Sequence, residues 1–460
     1  MSTNSDDLVT PSLASQATGM ALQQAEDAMT NKTEDVEPST EENAGREPDP
    51  EAAPPLVSQQ PEPPNGGVAW FVVLGTWCAS FCSFGWINSV GAFQEYYENE
   101  LLPNYSLSTI SWIPSLQIFF IMAMGPIVGR IYDCYGPRYL LFGGSLLHVF
   151  GLMMASLATK YYQILLSQGV CSAIGVAAIF QAALNVIHGW FTTKTGFAFG
   201  IMATGSSLGG IVFPIMVTRL IKDVGYSWTM RICAFLILGL LIIANLTVRT
   251  FRKPPPVKLS HNQVRQLFKE PGFVLCLLGF FCFTFGIYVP ITYLPVQALD
   301  IGIDASITEY LIPILNAGSL FGRILSGFAG DRIGCYNTFT IVCYLTAIWI
   351  LALWIPCSTT GGIIAFASLF GLCSGAYVSL ISPLIAQISP MSEIGFRTGV
   401  IYCVSSIGGL TTSPISGIII DGAGGWTGDK VFAGVLCLAG TTFVLATRLY
   451  NTGFKLAVAF

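Results

Sequence analysis

The chain has 460 residues, of which 53% are hydrophobic and only 10% charged. Its mean hydropathy is +0.63. A water-soluble protein carries about a quarter charged residues, so a soluble globular fold is excluded and a bilayer protein is expected. The net charge of −5 is unevenly spread, because residues 1–66 hold 13 of the 26 acids and only two bases, Lys32 and Arg46.

That first segment, 1–66, is rich in Pro, Ser, Thr and Glu and has no apolar periodicity. It buries too little surface to offset its ordering entropy, so it is predicted to be a disordered acidic tail. It has no basic stretch leading into an apolar core, so it does not read as a cleaved signal peptide. The first membrane helix is then the targeting signal. The tail reads either as a regulatory or trafficking segment or as a solvated leader.

Twelve apolar stretches follow, each long enough to cross a hydrocarbon core as a helix. They are predicted at 68–93, 108–128, 139–158, 162–187, 196–218, 229–248, 272–295, 306–328, 336–356, 363–388, 398–420 and 431–447. Short loops separate them except at 249–271, where Arg249, Arg252, Lys253, Lys258, Arg265 and Lys269 surround Pro254, Pro255 and Pro256. This is a basic linker. The predicted division is a tail at 1–66, a six-helix half at 67–248, the linker at 249–271, a second half at 272–450 and a short tail at 451–460.

The thirteen cysteines fall mostly inside the spans, without zinc-ligand or disulfide-framework spacing. Cys78 and Cys82 share a helix face and read as small packing residues rather than metal ligands.

Lys and Arg placement orients the chain. With the amino terminus inside, the inner side holds Arg130, Arg138, Lys194, the six linker residues, Arg332, Arg397, Arg448 and Lys455. The outer side holds Lys160, Arg219, Lys222, Arg231 and Lys430. Thirteen against five, the long tail aside, predicts that both termini are cytoplasmic.

The halves repeat each other. Gly129, Asp133 and Gly136 return as Gly327, Asp331 and Gly334, each shifted by 198 residues. Gly196-Phe197, Gly200, Ser206-Ser207 and Gly209-Gly210 return 199 residues later as Gly395-Phe396, Gly399, Ser405-Ser406 and Gly408-Gly409. Ser83-Phe84-Gly85 is a weaker match to Thr284-Phe285-Gly286. The expected fold is an all-α membrane protein, with twelve transmembrane helices in two six-helix pseudo-symmetric halves. The glycines in spans 5 and 11 are expected to let backbones approach closely.

The G-x-x-x-D-x-x-G pattern after spans 2 and 8 resembles the signature of the major facilitator superfamily. Two further segments resemble the monocarboxylate transporter family within it. One is Asn65-Gly66-Gly67-Val68-Ala69-Trp70 at the entry to span 1. The other runs from Trp190-Phe191 through Ala198, Gly200, Gly205-Ser206 and Gly209 at the entry to span 5. The likeness covers roughly 65–450, and the acidic tail and drifted motifs resemble the fungal branch of the family.

That resemblance implies a secondary transporter moving a small organic molecule, an organic anion or amphipathic metabolite, by alternating access. Import, export as part of a biosynthetic pathway, and a non-transporting substrate sensor on the same fold all remain open. The implied setting is multi-pass in the plasma membrane or an endomembrane. A monomeric transport unit is implied, with the lipid bilayer, a small-molecule substrate and a single-span accessory protein as partners and no nucleic acid. No nucleotide-binding loop, paired catalytic carboxylates or metal-ligand spacing occurs, so no enzyme activity, cofactor or metal is expected.

The resemblance also suggests gating residues. Loop aspartates of this kind sit at helix N-termini, where backbone N–H groups and the helix dipole favour negative charge. Asp133 is expected near Arg397, at the start of span 11, and Asp331 near Lys194, just before span 5. The two would be symmetry-related cytoplasmic latches. Cys134 and Pro137 depart from the pattern's basic positions, which weakens the first.

For substrate binding, Arg323 aligns with the arginine that binds the substrate carboxylate in monocarboxylate transporters; otherwise it snorkels or backs a latch beside Asp331. Further candidates are Trp86, Asn88, Gln181, Asn185, Tyr288, Asn316 and Tyr377, from spans 1, 4, 7, 8 and 10. Where the family has an aspartate one turn before the arginine this chain has Ser319, and Asn88 stands at the family's span 1 lysine. No acid is predicted mid-span, since Glu309 begins span 8 and Asp421 follows span 11. His148 is the only mid-span histidine and reads as a buried structural residue. Lactate–proton symport is therefore not supported, and a proton-independent carrier, or one with an unusual coupling site, fits better.

Overall fold

The computed structural model describes residues 63–251, 261–453, 455, 458 and 459, and these are helical almost throughout. The predicted tail at 1–66 lies outside them except for its last four residues, and the triple proline of the linker lies outside them entirely.

Among the described residues, twelve helices are long enough to span a bilayer once the rod 195–247 is divided at Gly225. The first half holds α1 (Val68–Gly85, continuing over 90–101), α2 (Trp112–Tyr135), α3 (Pro137–Ala155), α4 (Tyr161–Gly189), α5 (195–224) and α6 (226–247). The second holds α7 (Pro271–Asp300), α8 (Ala305–Ile333), α9 (Cys335–Trp354), α10 (Thr360–Gln387), α11 (Met391–Asp421) and α12 (Gly425–Thr452). α5 and α6 read as one rod broken only at Gly225, whose φ of 77° suits glycine. The expected twelve-helix, two-half fold is what the chain adopts.

Several helices run beyond their predicted ends. α2 extends to Tyr135 and α8 to Ile333, so both loop aspartates sit in last helical turns. α12 begins at Gly425, six residues before the predicted 431, and takes Asp429 and Lys430 into the helix. Within the linker, His261–Leu267 forms a short helix. Asp304 precedes the first turn of α8, and its carboxylate accepts the Ser306 N–H at 2.8 Å. That hydrogen bond holds this exposed carboxyl below the usual carboxylate range.

Each half has an aromatic core. Trp86, Phe93 and Phe213 pack in the first, and Phe280, Phe283, Phe339 and Tyr377 in the second. Large apolar side chains such as Phe71, Phe142 and Leu246 stay exposed around the outside, where lipid would cover them. Cys78 and Cys82 are buried, and all thirteen cysteines are unpaired.

The two entry motifs of the first half bind one another. The Asn65 Oδ1 accepts the N–H groups of Thr192 at 2.7 Å and Thr193 at 3.2 Å. Trp70 packs edge-on against Phe191 and Phe197, at 5.2 and 5.9 Å. The segment before α1 is thereby fastened to the turn before α5.

Candidate functional site: the seam between the halves

Two seams join the halves, α2 against α11 and α5 against α8, and both depend on missing side chains. A Cβ at Gly129 or Gly125 would run into the backbone of Gly395 or Gly399, and one at Gly196 or Gly200 into that of Gly327 or Arg323. Gly205 and Gly209 instead face α1 within their own half. Gly408 likewise faces α7 of its own half, whereas Gly409 faces Ile118 of α2 and Gly210 faces Asn316 of α8, so the far end of the repeat serves contacts of both kinds.

At one end of the bundle, here called the aspartate end, each seam is closed by a carboxylate on a helix N-terminus. Asp133 accepts from the Gly395 N–H at 3.0 Å and the Phe396 N–H at 2.8 Å. Asp331 accepts from Gly196 at 2.7 Å and Phe197 at 2.8 Å. The expected positions are found, but the side-chain partners differ. Arg397 turns to Glu270, with bonds of 2.7 and 3.0 Å, and to Glu393 at 3.0 Å. Lys194 is exposed. The correction has a simple cause: two N–H groups converge on each carboxylate and fill its oxygens, so the nearby cations are free for other acids. Beside the α5–α8 seam, the His188 Nε2 lies 3.0 Å from the Ser382 Oγ of the other half. A cavity of about 420 Å³ opens there between His188, Thr192, Asp331, Pro383 and Met391.

Deeper in, Arg323 neither snorkels nor reaches Asp331. It is buried, and its Nε donates to Ser319 of its own helix at 3.1 Å. Its Nη1 donates across the seam to the Ala203 carbonyl and the Ser206 hydroxyl. The Ser207 Oγ also crosses, to Ser319 at 3.3 Å. Among the described residues no carboxylate pairs with Arg323, the ion pairs being those of Arg397.

Three tyrosines lie near one another here, and one of them is near this guanidinium. Tyr402 of α11 lies within electrostatic reach of Arg323, Tyr288 and Tyr377. It meets Phe180 of α4 edge-on at 5.7 Å, and Phe180 meets Phe84 of α1 at 4.6 Å. Tyr377 also bonds Thr284 at 2.9 Å. Asn88 and Asn316 converge over Gly210, where an added Cβ would lie 2.9 Å from both amides. Gln181 is buried with both amide atoms unpartnered, and Asn185 with its Oδ1 unpartnered.

Trp86 does not join this group. It is fully buried among Phe93, Phe213 and His148, inside the first half. Its indole packs against these rings, away from Arg323 and the tyrosines. His148 is likewise enclosed, with Nδ1 2.8 Å from Ser172 Oγ and Nε2 3.2 Å from Cys82 O.

Tyr402, Phe180, Phe84 and Ser206 are not among the sequence candidates. Ser206 belongs to the repeat and was legible as packing. Nothing in the local pattern marks Tyr402, which sits on a glycine-rich helix. Asp429 was also missed as a buried acid, because the predicted span began two residues after it.

The family model described as Major Facilitator Superfamily matches residues 72–370 and 298–455. The "MFS transporter asaE" of Aspergillus flavus is 56% identical over 416 residues, covering 90% of this chain and 94% of that one. The "Fujikurins efflux protein" of Gibberella fujikuroi is 53% identical over 401 residues, with 86% of each chain covered. Among solved structures, the E. coli fucose:proton symporter FucP superposes with a TM-score of 0.66 at 15% identity, over 81% of this chain and 98% of that one. That likeness concerns the fold alone. Seams, repeat, family match and relatives agree that the chain, a multi-pass secondary transporter of small molecules, belongs to the Major Facilitator Superfamily.

Proposed function

We propose that the protein exports an amphipathic organic metabolite bearing an acidic group, by alternating access around the seam. The observation that carries this reading is Arg323. Its guanidinium is held only by two hydroxyls and a carbonyl, so its charge has no counter-ion among the described residues. Neutral dipoles solvate an arginine less well than a bidentate carboxylate does. A substrate carboxylate approaching between the tyrosines would compete for Nη1 and loosen α8 from α5. Substrate binding and seam opening would then be one event.

Tyr288, Tyr377, Tyr402, Phe84 and Phe180 supply flat apolar walls, and Asn88, Asn316, Gln181 and Asn185 supply adaptable hydrogen bonds. That lining suits a larger, partly aromatic molecule, in keeping with the monocarboxylate transporter-like motifs. Export is favoured over import because one of the relatives is named for efflux. The excess of Lys and Arg at the aspartate end supports placing that end in the cytoplasm, with both termini. Asp133 and Asp331 then act as latches that hold the cytoplasmic side shut.

The test is efflux from a heterologous yeast loaded with a panel of amphipathic organic acids. Faster loss of particular acids from expressing cells supports the reading. Equal loss with and without the protein would favour a sensor that binds without moving its ligand.

A further inference from the structure

The start of α12 at Gly425 places Asp429 one turn inside the helix, at the end of the bundle opposite the aspartate end. The residue has no exposed surface, and neither carboxylate oxygen meets a hydrogen-bond partner. The contrast with Asp133 is direct. Asp133 is buried too, but both its oxygens are filled by N–H groups.

The polar groups near Asp429 come from α7, α11 and α12 itself. On α12 itself, Lys430 is buried but turns away, its Nζ donating to the Trp354 carbonyl of α9 at 2.9 Å and lying 5.2 Å from that indole. Lys430 stays within electrostatic reach of Asp429 and Cys357. On α11, the buried Ser416 hydroxyl faces the carboxylate, close enough to interact yet out of hydrogen-bonding geometry, and has no other partner. On α7, Tyr293 lies within reach of both Asp429 and Asp421, while its hydroxyl donates to Ser413 O at 2.8 Å. Asp300, at the end of α7, is engaged by the Trp426 Nε1 at 2.7 Å.

A buried carboxylate whose neighbouring donor stands out of bonding geometry is costly. A neutral carboxyl is cheaper there, while a small shift would let the Ser416 hydroxyl donate to the ionised form. The ionised form becomes tolerable when water or a donor arrives, helped by the nearby ammonium of Lys430. We propose that Asp429 is a proton-binding site whose occupancy biases the alternating-access equilibrium: the proton is held while α7, α11 and α12 are packed as seen here, and leaves when they separate. The link to the rest of the molecule is α11. The same helix carries Ser416, the central Tyr402, and the N-terminus gripped by Asp133. This inference goes beyond the export reading and needs no substrate. Of the two readings the sequence left open, a proton-independent carrier and one with an unusual coupling site, it favours the second.

The test uses infrared spectroscopy of the full chain in lipid, titrated with no substrate present. The expected result is a protonated-carboxyl carbonyl band that fades as pH rises, is missing in Asp429→Asn and is displaced in Asp429→Glu. The glutamate variant keeps a titrating group should the amide fold poorly. Because linkage is reciprocal, Asp133→Asn, which loosens the far end of α11, should move the pH at which the band fades by on the order of one unit. A titration identical in parent and both Asp429 variants overturns the site. A band that never fades does the same, and one indifferent to Asp133→Asn overturns the link to conformation. An export assay that fails leaves this titration untouched, and the reverse also holds.

Discussion

Asp133 and Asp331 occupy equivalent points of the two halves, 198 residues apart, and each spans the seam to chelate two backbone N–H groups. The receiving pairs, Gly395-Phe396 and Gly196-Phe197, are themselves repeats of one another. Glycine at the first position lets the carboxylate come close, and the helix dipole adds to both bonds. The two halves are therefore bridged twice at the aspartate end by one device.

Asp133→Asn and Asp331→Asn should each weaken that closure by about 0.5–2 kcal/mol, since the amide keeps the shape and loses the charge. The two seams share no partner, so the losses should add. Distances between spin labels on the ends of α2 and α11 would report the open fraction. Exchanging the charges of Asp133 and Arg397 should rescue nothing, because Arg397 answers to Glu270 and Glu393. Rescue by the exchange would mean that the two side chains pair directly in some state of the cycle.

Gly129→Ala should hinder closure of the α2–α11 seam, where the new methyl meets the Gly395 carbonyl. Gly143→Ala, on the exposed side of α3 with nothing within 4 Å, is the matched control. The same label distances should show the first variant shifted to the open form and the second unchanged.

Arg323→Lys should reduce export about tenfold or more, because an ammonium cannot hold Ser319, Ala203 and Ser206 at once or meet a carboxylate in a fork. Ser206→Ala removes a seam contact and leaves the guanidinium for substrate. Its KM should stay within about twofold, as expected for a lost neutral hydrogen bond the substrate does not use. Equal rises in KM for both variants would make Arg323 a seam residue with no role in binding.

Asn65→Ala should cost about 1–2 kcal/mol, the usual loss when a side chain capping backbone N–H groups is removed. Thermal unfolding in detergent measures it. An unchanged midpoint would mean that the joint between the segment before α1 and the turn before α5 carries no stability.

Much of this molecule was decided by sequence alone. Bilayer residence, the number of helices and the duplication follow from composition and from residue spacing, and the family resemblance implied the placement of Asp133 and Asp331 at helix N-termini. Long apolar runs have few ways to satisfy their backbone in lipid, and a repeat states its symmetry outright. What only the tertiary structure decided is which face of each helix meets which neighbour. Helix periodicity in an apolar span gives little contrast between lipid-facing and core-facing sides, so Trp86, a candidate by sequence, is packed inside the first half, and Tyr402, which the sequence did not mark, lies near Arg323. The fate of Arg397 depended on Glu270, 127 residues away. Asp429 depended on where α12 begins, because a few residues of helix at a bundle end separate a solvated loop acid from a buried one that must find a proton.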